Sequence, residues 1–278
     1  MSFRSRMLPV GWYPGSAKEC EREITFFLQG FKPPEGKWTA GVAPHAGWAF
    51  SGRAAARVVK TLSSRGAIDR VVIFGGHLPG GNAPIAYMEE SWETPLGQQD
   101  LDADFLYEFV ADGHARPAPR GFSDNTIEIQ APLVRYFFPA AKIIAVHSPS
   151  SEESITLARV IKKLLDEKAL KAVFLGSADL THYGPNYGFT PKGTGAAAIK
   201  WVKEENDKVL IDKALDMKAS EILREAPVRQ NTCSAGPIAS IIEIARLCGV
   251  TKGTLIDYYT SYDVMPGSSF VGYASIVY

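Results

Sequence analysis

Short apolar and β-branched runs recur along the chain, and between them apolar residues return at every third or fourth position. The short runs predict strands covered on both faces, because such strands show no alternation of apolar and polar residues. They occupy residues 39–43, 70–74, 142–146, 171–175, 255–260 and 271–277. The longer spacing predicts helices over residues 17–29, 52–64, 101–111, 152–168, 196–215 and 236–247. Their alternation predicts the α/β class, as a layered α/β sandwich with a mostly parallel central sheet.

Glycine, proline and asparagine mark the connections between these elements, and the connections are short. The predicted loops are residues 33–36, 75–84, 116–125 and 183–195. None has the length or low complexity of an interdomain linker, and no repeat of solenoid period is present. A chain of 278 residues, 46% of them hydrophobic, can bury a large core as one unit. We therefore expect one domain over residues 1–278.

Charge and composition narrow the classes of partner. Thirty Lys and Arg balance thirty Asp and Glu, so no net field attracts nucleic acid or an anionic membrane, and a small-molecule partner fits better. No apolar run approaches the roughly 18 to 20 residues that span a bilayer, and the first residues lack the apolar core of a signal peptide. Three cysteines are too few for a disulfide framework. We expect a cytoplasmic protein.

Candidate ligands follow several of the predicted strands at the point where each strand ends. His45 follows the first strand, His77 follows the second, and Asp179 and His182 follow the fourth. The loops at the carboxyl ends of strands in an open α/β sheet meet at one edge and form the ligand crevice. A hydrogen-bonded structural role explains any one of these histidines equally well. Three histidines in the same setting favour a functional site.

A third type of ligand stands ahead of a predicted helix. Cys233 precedes Ser234, a plausible cap, and Pro237, which favours a first helical turn. A thiol just ahead of a helix N-terminus is favoured as a thiolate. The alternative is a small buried hydrophobic residue, and that interpretation is kept for Cys20 and Cys248.

Seven short motifs, taken together in their order and spacing, resemble the Memo proteins, which are related in structure to the class III extradiol ring-cleaving dioxygenases. The resemblance covers nearly the whole chain. The motifs are PHAGW (44–48) with Ser51 and Gly52 after it, Gly75-Gly76-His77, ETPLG (93–97), IEIQAP (127–132), SADLTHYG (177–184), NTCSAGPI (231–238) and FVGYAS (270–275).

The resemblance implies a metal ion between His45, His77 and Cys233. It also implies that Asp179 and His182 line the same cleft, with His182 in the place of an acid/base histidine of the related dioxygenases. Those dioxygenases have a carboxylate where this chain has the cysteine. Because a thiolate changes the electronic character of the metal, ring cleavage does not carry over directly.

The chain departs from the family pattern at two places. The loop at Gly75-Gly76-His77 is one residue shorter than usual, and Asn125 stands where a cleft histidine is usual. Glu128 is a candidate carboxylate for hydrogen-bonding a metal ligand, or else a solvated glutamate in a first helical turn. The aromatic residues Trp48 and Tyr183 are candidates for the walls of a substrate cleft, although aromatic side chains mostly serve the core.

Two imidazoles and one thiolate leave coordination positions open and suit Fe(II), with Cu or Zn as alternatives. Three functions follow. The first is a non-haem Fe(II) oxidoreductase, dioxygenase-like, that uses dioxygen on a small organic substrate, with His182 moving a proton and Asp179 orienting His182 or the substrate. The second is a zinc-dependent hydrolase. The third is a non-catalytic protein that binds metal or a peptide.

Overall fold

Twelve strands and eleven α-helices make up the computed structural model, which describes residues 2–278. The strands are β1 (Phe3–Arg4), β2 (Ala40–Ala43), β3 (Arg70–Leu78), β4 (Ile85–Ala86), β5 (Ser91–Thr94), β6 (Gly97–Asp100), β7 (Arg116–Pro117), β8 (Lys142–Pro149), β9 (Ala172–Ser177), β10 (His182–Tyr183), β11 (Thr254–Thr260) and β12 (Phe270–Val277). The α-helices are α1 (Ala17–Phe27), α2 (Trp48–Ser63), α3 (Ala103–Ala111), α4 (Asn125–Glu128), α5 (Ala131–Phe137), α6 (Glu153–Glu167), α7 (Ala196–Trp201), α8 (Asp207–Leu215), α9 (Ala219–Arg229), α10 (Ala235–Leu247) and α11 (Ser261–Val264). A 3₁₀ turn covers Pro185–Tyr187 and a π turn covers Val202–Asn206.

A nine-stranded mixed sheet forms the centre of the molecule, with the strands in the order β10-β12-β2-β9-β3-β8-β4-β7 and β11 also paired with β12. The four central strands β2, β9, β3 and β8 run parallel, as predicted. The mostly parallel sheet also contains antiparallel pairs, because β12 runs antiparallel to both β2 and β11. Only residues 261–269 join β11 to β12, which is too short for the crossover that a parallel pair requires. A second sheet, β1-β5-β6, has three strands.

Helices cover both faces of the central sheet, so the layered sandwich is confirmed. Glycines on two neighbouring strands let a helix approach each face. A Cβ on Gly41 would come within 2.6 Å of Val58 in α2, and a Cβ on Gly176 would come within 2.6 Å of Ile241 in α10. Gly176 pairs with the residue after Gly41, and successive strand residues point to opposite faces. Helix α2 therefore packs on one face and α10 on the other.

Several elements differ from the sequence-based expectations. The helix predicted over residues 196–215 is divided by the π turn, and β3 runs on through His77 into the predicted loop. Helices α4, α5, α9 and α11 were not predicted; α9 contains Pro227, a residue that normally argues against a helix interior. Among residues 2–278, no helix is both long enough and apolar enough to cross a membrane.

Candidate metal centre

The side chains of His45, His77 and Cys233 converge at the carboxyl ends of the central strands. One ligand atom from each lies within 4.8 Å of the other two, and Sγ of Cys233 is 3.2 Å from Nε2 of His45. The two imidazole rings are nearly perpendicular, with their centroids 5.0 Å apart. When ligand atoms lie about 2.0 to 2.3 Å from one ion in tetrahedral geometry, any two of these atoms are about 3.5 Å apart. The three donors therefore fit a single ion.

Hydrogen bonds from two other segments of the chain hold His45 in place. Its backbone N–H donates to the carboxylate of Asp179 at 2.7 Å, and its carbonyl accepts from the amide of Asn125 at 2.9 Å. Its Nδ1 lies 3.2 Å from the hydroxyl of Ser177, the last residue of β9. Because Nδ1 is used in this way, Nε2 is left to face Cys233. Asn125 thus contacts the backbone of His45.

His77 reaches the cluster through an unusual backbone conformation. Its φ is 58°, in the left-handed region that a residue other than glycine rarely adopts. Gly76, just before it, lies so close to α10 that a Cβ there would be 1.9 Å from Oγ of Ser234. On the far side of the ring, Nδ1 lies 2.9 Å from the carboxylate of Asp124. These contacts turn Nε2 of His77 towards the other two donors. The residue reaches them from the loop Gly75-Gly76-His77, which is one residue shorter than the family usually has.

Cys233 lies immediately ahead of α10, as the sequence predicts, with Ser234 at the N-cap position. Its thiol is half-buried, and Sγ is 3.2 Å from the hydroxyl of Ser234. Burial on its own raises the pKa of the thiol, but the neighbouring imidazoles of His45 and His77 outweigh burial and bring the pKa down to about 5. Cys233 is therefore a thiolate at neutral pH.

The two imidazoles carry the matching positive charge. Burial lowers the pKa of His45, but the charges of Asp179 and Cys233 outweigh it, so the pKa is raised. The pKa of His77 is raised to about 10 because its bonds to Asp124 and Cys233 outweigh its burial. A metal ion that binds here must displace protons from these rings, so its affinity rises with pH.

A cleft of about 400 Å³ opens beside Cys233. Apart from Cys233 and His182, the described residues that line it carry uncharged side chains: Ser150, Tyr187, Ala226, Pro227, Gln230, Thr232 and Ala235. The ring of Tyr187 stands perpendicular to that of His182, with the centroids 5.0 Å apart. The structure thus places His182 in the cleft and outside the three-donor cluster.

The structure gives Asp179 a different neighbour from the one expected. Its carboxylate accepts from the backbone of His45 and lies 3.9 Å from Nε2 of the same residue. Nδ1 of His182 instead lies 3.1 Å from the carbonyl of Leu180. Asp179 and His182 thus contact different groups. Asp179 therefore supports His45, and the expectation that it orients His182 is not met.

Glu128 is buried and serves the N-terminal segment. Its carboxylate accepts from the backbone N–H groups of Met7 and Leu8, each at 2.8 Å, and from the hydroxyl of Tyr13 at 3.2 Å. Arg4 completes the arrangement with an ion pair at 3.3 Å. Both interpretations from the sequence are therefore corrected: Glu128 is not solvated, and its described partners do not include a residue of the three-donor cluster.

Trp48 and Tyr183 lie in the core and not in the cleft. Trp48 packs against Phe27 and donates from Nε1 to a carbonyl at 3.3 Å, and Tyr183 donates its hydroxyl to the carbonyl of Gly193. Both rings are large apolar surfaces whose one polar atom finds a partner inside the protein. The aromatic residue that lines the cleft is Tyr187, which sequence reasoning missed.

Three polar residues that contact the donors were also missed: Asp124, Ser177 and Ser234. The only local signal for Asp124 is its position as the N-cap of α4, where its carboxylate accepts from the backbone of Thr126 at 2.9 Å. Its bond to His77 and its place as a cap lower its pKa, despite burial, which alone raises it. From the sequence alone, an aspartate that caps a helix cannot be distinguished from one that hydrogen-bonds a metal ligand.

Comparison with known proteins finds a family match over nearly the whole chain. The Memo-like protein family model matches residues 5–277. A MEMO1 family protein of Thermococcus onnurineus is 32% identical, with 96% of each chain covered. Another of Methanosarcina acetivorans is 29% identical, with 100% of this chain and 99% of that one covered. The matches thus extend over both the histidine loops and the cysteine motif.

A solved structure shares the fold. The crystal structure of an uncharacterised protein from Escherichia coli K12 superposes with a TM-score of 0.53 at 13% identity, covering 86% of this chain and 99% of that one. At this identity the likeness concerns the fold alone. The family match over nearly the whole chain and the relatives of about 30% identity show that this protein belongs to the Memo-like family.

Proposed function

We propose that this protein is a metal-dependent oxidoreductase, dioxygenase-like, that holds Fe(II) with His45, His77 and Cys233 and acts on a small organic molecule in the adjoining cleft. The observation that carries the proposal is the convergence of two imidazoles and a thiolate at the edge of a cleft. Three protein donors leave positions open for substrate, as in catalytic and not closed structural metal sites.

The contacts behind the donors support a metal-binding role. Ser177 engages Nδ1 of His45 and Asp124 engages Nδ1 of His77, which leaves Nε2 of each ring as the nitrogen that would bind a metal ion. When bound, Fe(II) supplies a redox-active Lewis acid next to the cleft. The thiolate of Cys233 adds electron density, which favours redox chemistry over simple charge stabilisation.

His182 is the residue that we assign to proton transfer. Its Nδ1 lies against the carbonyl of Leu180, so Nδ1 carries the proton and Nε2 is free to accept one from a substrate in the cleft. Tyr187 packs edge-on against this ring and restricts its rotation. Asp179 contributes indirectly, because its negative charge stabilises the loop that carries His45.

The zinc hydrolase is the alternative, because the same donors suit Zn²⁺, and a non-catalytic metal-binding or peptide-binding protein is the third candidate. Elemental analysis of protein prepared without oxygen, followed by an oxygen-uptake screen with small organic molecules, separates them. Iron and substrate-triggered uptake, both lost in Cys233→Ser, support the oxidoreductase. Zinc with ester or amide hydrolysis and no oxygen uptake contradicts it.

A further inference from the structure

The helix over residues 196–215 is interrupted by a π turn, Val202–Asn206, where sequence periodicity predicts none. The turn ends at Asn206, and Asp207 follows it as the first residue of α8; these two polar residues are 1% and 0% exposed. Single π turns inside α-helices are frequent at functional sites. Burying an amide and a carboxyl is unfavourable unless both are hydrogen-bonded, so their partners indicate what they do.

The first set of partners belongs to the segment that carries His182. Asp207 accepts from the backbone N–H of Thr181 at 3.1 Å and also from its hydroxyl, and Tyr258 donates to the other carboxyl oxygen at 2.8 Å. Gly272 leaves room for this carboxyl, since a Cβ there would be 2.0 Å from Asp207. The residue directly before His182 is thus held through both its backbone and its side chain.

The second set belongs to the segment that carries Cys233. The amide of Asn206 donates to the hydroxyl of Thr181 at 3.0 Å and to the carbonyl of Arg229 at 3.2 Å. The backbone carbonyl of Asn206 accepts from the side chain of Asn231 at 3.1 Å. Asn206 therefore joins the two segments, one residue from His182 and two residues from Cys233.

The same two segments form the walls of the cleft. Leu180 and Thr232 make an antiparallel bridge, and the hydroxyl of Thr232 donates to the carbonyl of Asp179 at 2.6 Å. These contacts join the walls next to the metal centre, while Asn206 and Asp207 join them from behind. An apolar pair of similar size would fill the space but would not fix the register of the walls.

We propose that Asn206 and Asp207 are positioning residues that set the separation of His182 from Cys233 through Thr181 and Asn231. The inference rests on the proposed metal centre, because the effect of the two positioning residues is measured as metal binding at that centre. Removing this support loosens the thiolate and weakens metal binding by the 10- to 100-fold that is typical of residues behind metal ligands.

The probe is Co²⁺, whose thiolate charge-transfer absorption reports ligation by Cys233. Titrations compare the wild-type protein with Thr181→Val, which keeps the side-chain shape and removes the hydroxyl. The matched control is Ser275→Ala, which removes from β12 a buried hydroxyl that donates to the carbonyl of Ala54 in α2 at 2.8 Å. Asp207→Ala and the conservative Asp207→Asn form a second pair, and thermal melts of all the variants report folding.

We expect Thr181→Val and Asp207→Ala to bind Co²⁺ about 10- to 100-fold more weakly and with an altered charge-transfer band. Ser275→Ala and Asp207→Asn keep both properties, although Ser275→Ala melts at a lower temperature. Unchanged affinity and band in a folded Thr181→Val overturn the inference and leave the metal centre intact. Absence of a thiolate band in the wild-type protein overturns the metal centre and this inference with it. If Asp207→Ala does not fold, Thr181→Val decides alone.

Discussion

Nδ1 of His77 lies 2.9 Å from a carboxylate oxygen of Asp124, and this pair spans 47 residues of sequence. The contact fixes which nitrogen of His77 is free to bind a metal. Asp124 is in turn held as the N-cap of α4 by its bonds to Thr126. The orientation of a proposed ligand thus depends on a helix that the sequence does not predict.

Asp124→Asn should weaken metal binding about 10- to 100-fold while the protein stays folded. Asparagine retains the cap, but it removes the charge that raises the basicity of His77. Competition with a chromophoric chelator measures the affinity. Asp216→Asn, which removes an exposed carboxylate at the C-cap of α8, is the charge-matched control. Equal metal affinity in the two variants would show that Asp124 does not support metal binding.

Cys233→Ser should lose most of its bound metal, whereas Cys248→Ser should keep it. The pKa of Cys233 is lowered to about 5, so a thiolate is available, while burial raises the pKa of Cys248. Although its thiol is partly shielded, Cys248 lies exposed at the C-cap of α10, where the sequence suggested a buried residue, so replacing it disturbs little of the core. Metal content per chain is the readout, and equal retention in both variants removes Cys233 from the ligand set.

His182→Ala should keep nearly all of its metal and lose activity by about 10² to 10⁴-fold, the usual cost of removing an acid/base group. The ring stands in the cleft beside Tyr187 and outside the three-donor cluster. Metal analysis and oxygen uptake, once a substrate is identified by screening, measure the two effects separately. Loss of metal from folded His182→Ala would make it a ligand, and full activity would make it structural.

Gly76→Ala should destabilise the fold by about 1 to 3 kcal/mol, because the added Cβ would overlap the side chain of Ser234. Gly47→Ala is the control, since the nearest atom to its Cβ would be 3.6 Å away and its φ is −54°. Urea unfolding gives both values. Ser234→Gly should recover part of the loss in the double variant, and no recovery would refute overlap as the cause.

Stability should fall as the pH rises from about 4 to 7 because of Asp207. Burial raises the pKa of its carboxyl from 3.8 to about 7, although its hydrogen bonds oppose the shift. Below pH 4 the carboxyl is protonated in both the folded and the unfolded chain. Between the two values only the unfolded chain releases the proton, so unfolding becomes more favourable with pH, by at most about 4 kcal/mol.

Asp207→Asn removes this titration and keeps the size of the side chain. The stability of the variant relative to the wild-type protein should therefore increase from pH 4.5 to pH 7.5 in urea unfolding experiments. Tyr258, the hydroxyl that faces Asp207, has its pKa raised by burial and stays protonated throughout this range. A difference in stability that is constant with pH would assign the dependence to other groups.

The amino-acid sequence by itself determines the central sheet and the convergence of the three donors. Runs such as residues 70–74 and 142–146 are apolar on both sides and form β3 and β8, and parallel strands bring their carboxyl ends to one edge. Local patterns place His45 and His77 at that edge and Cys233 at the start of a helix, and the resemblance to the Memo proteins groups the three donors. Cys233 needs only Ser234 and Pro237 after it for its position to be predicted.

Only the tertiary structure decided which polar group each donor contacts. Asp179 lies near His182 in sequence but contacts His45, and Glu128 lies in α4 but binds the N-terminal segment. Periodicity reports which face of an element is buried, and it carries no information on the hydrogen-bond partners that distant loops bring to that face. The same holds for the π turn before Asp207, because the partners that satisfy its buried carboxyl come from Thr181 and Tyr258, remote in the chain.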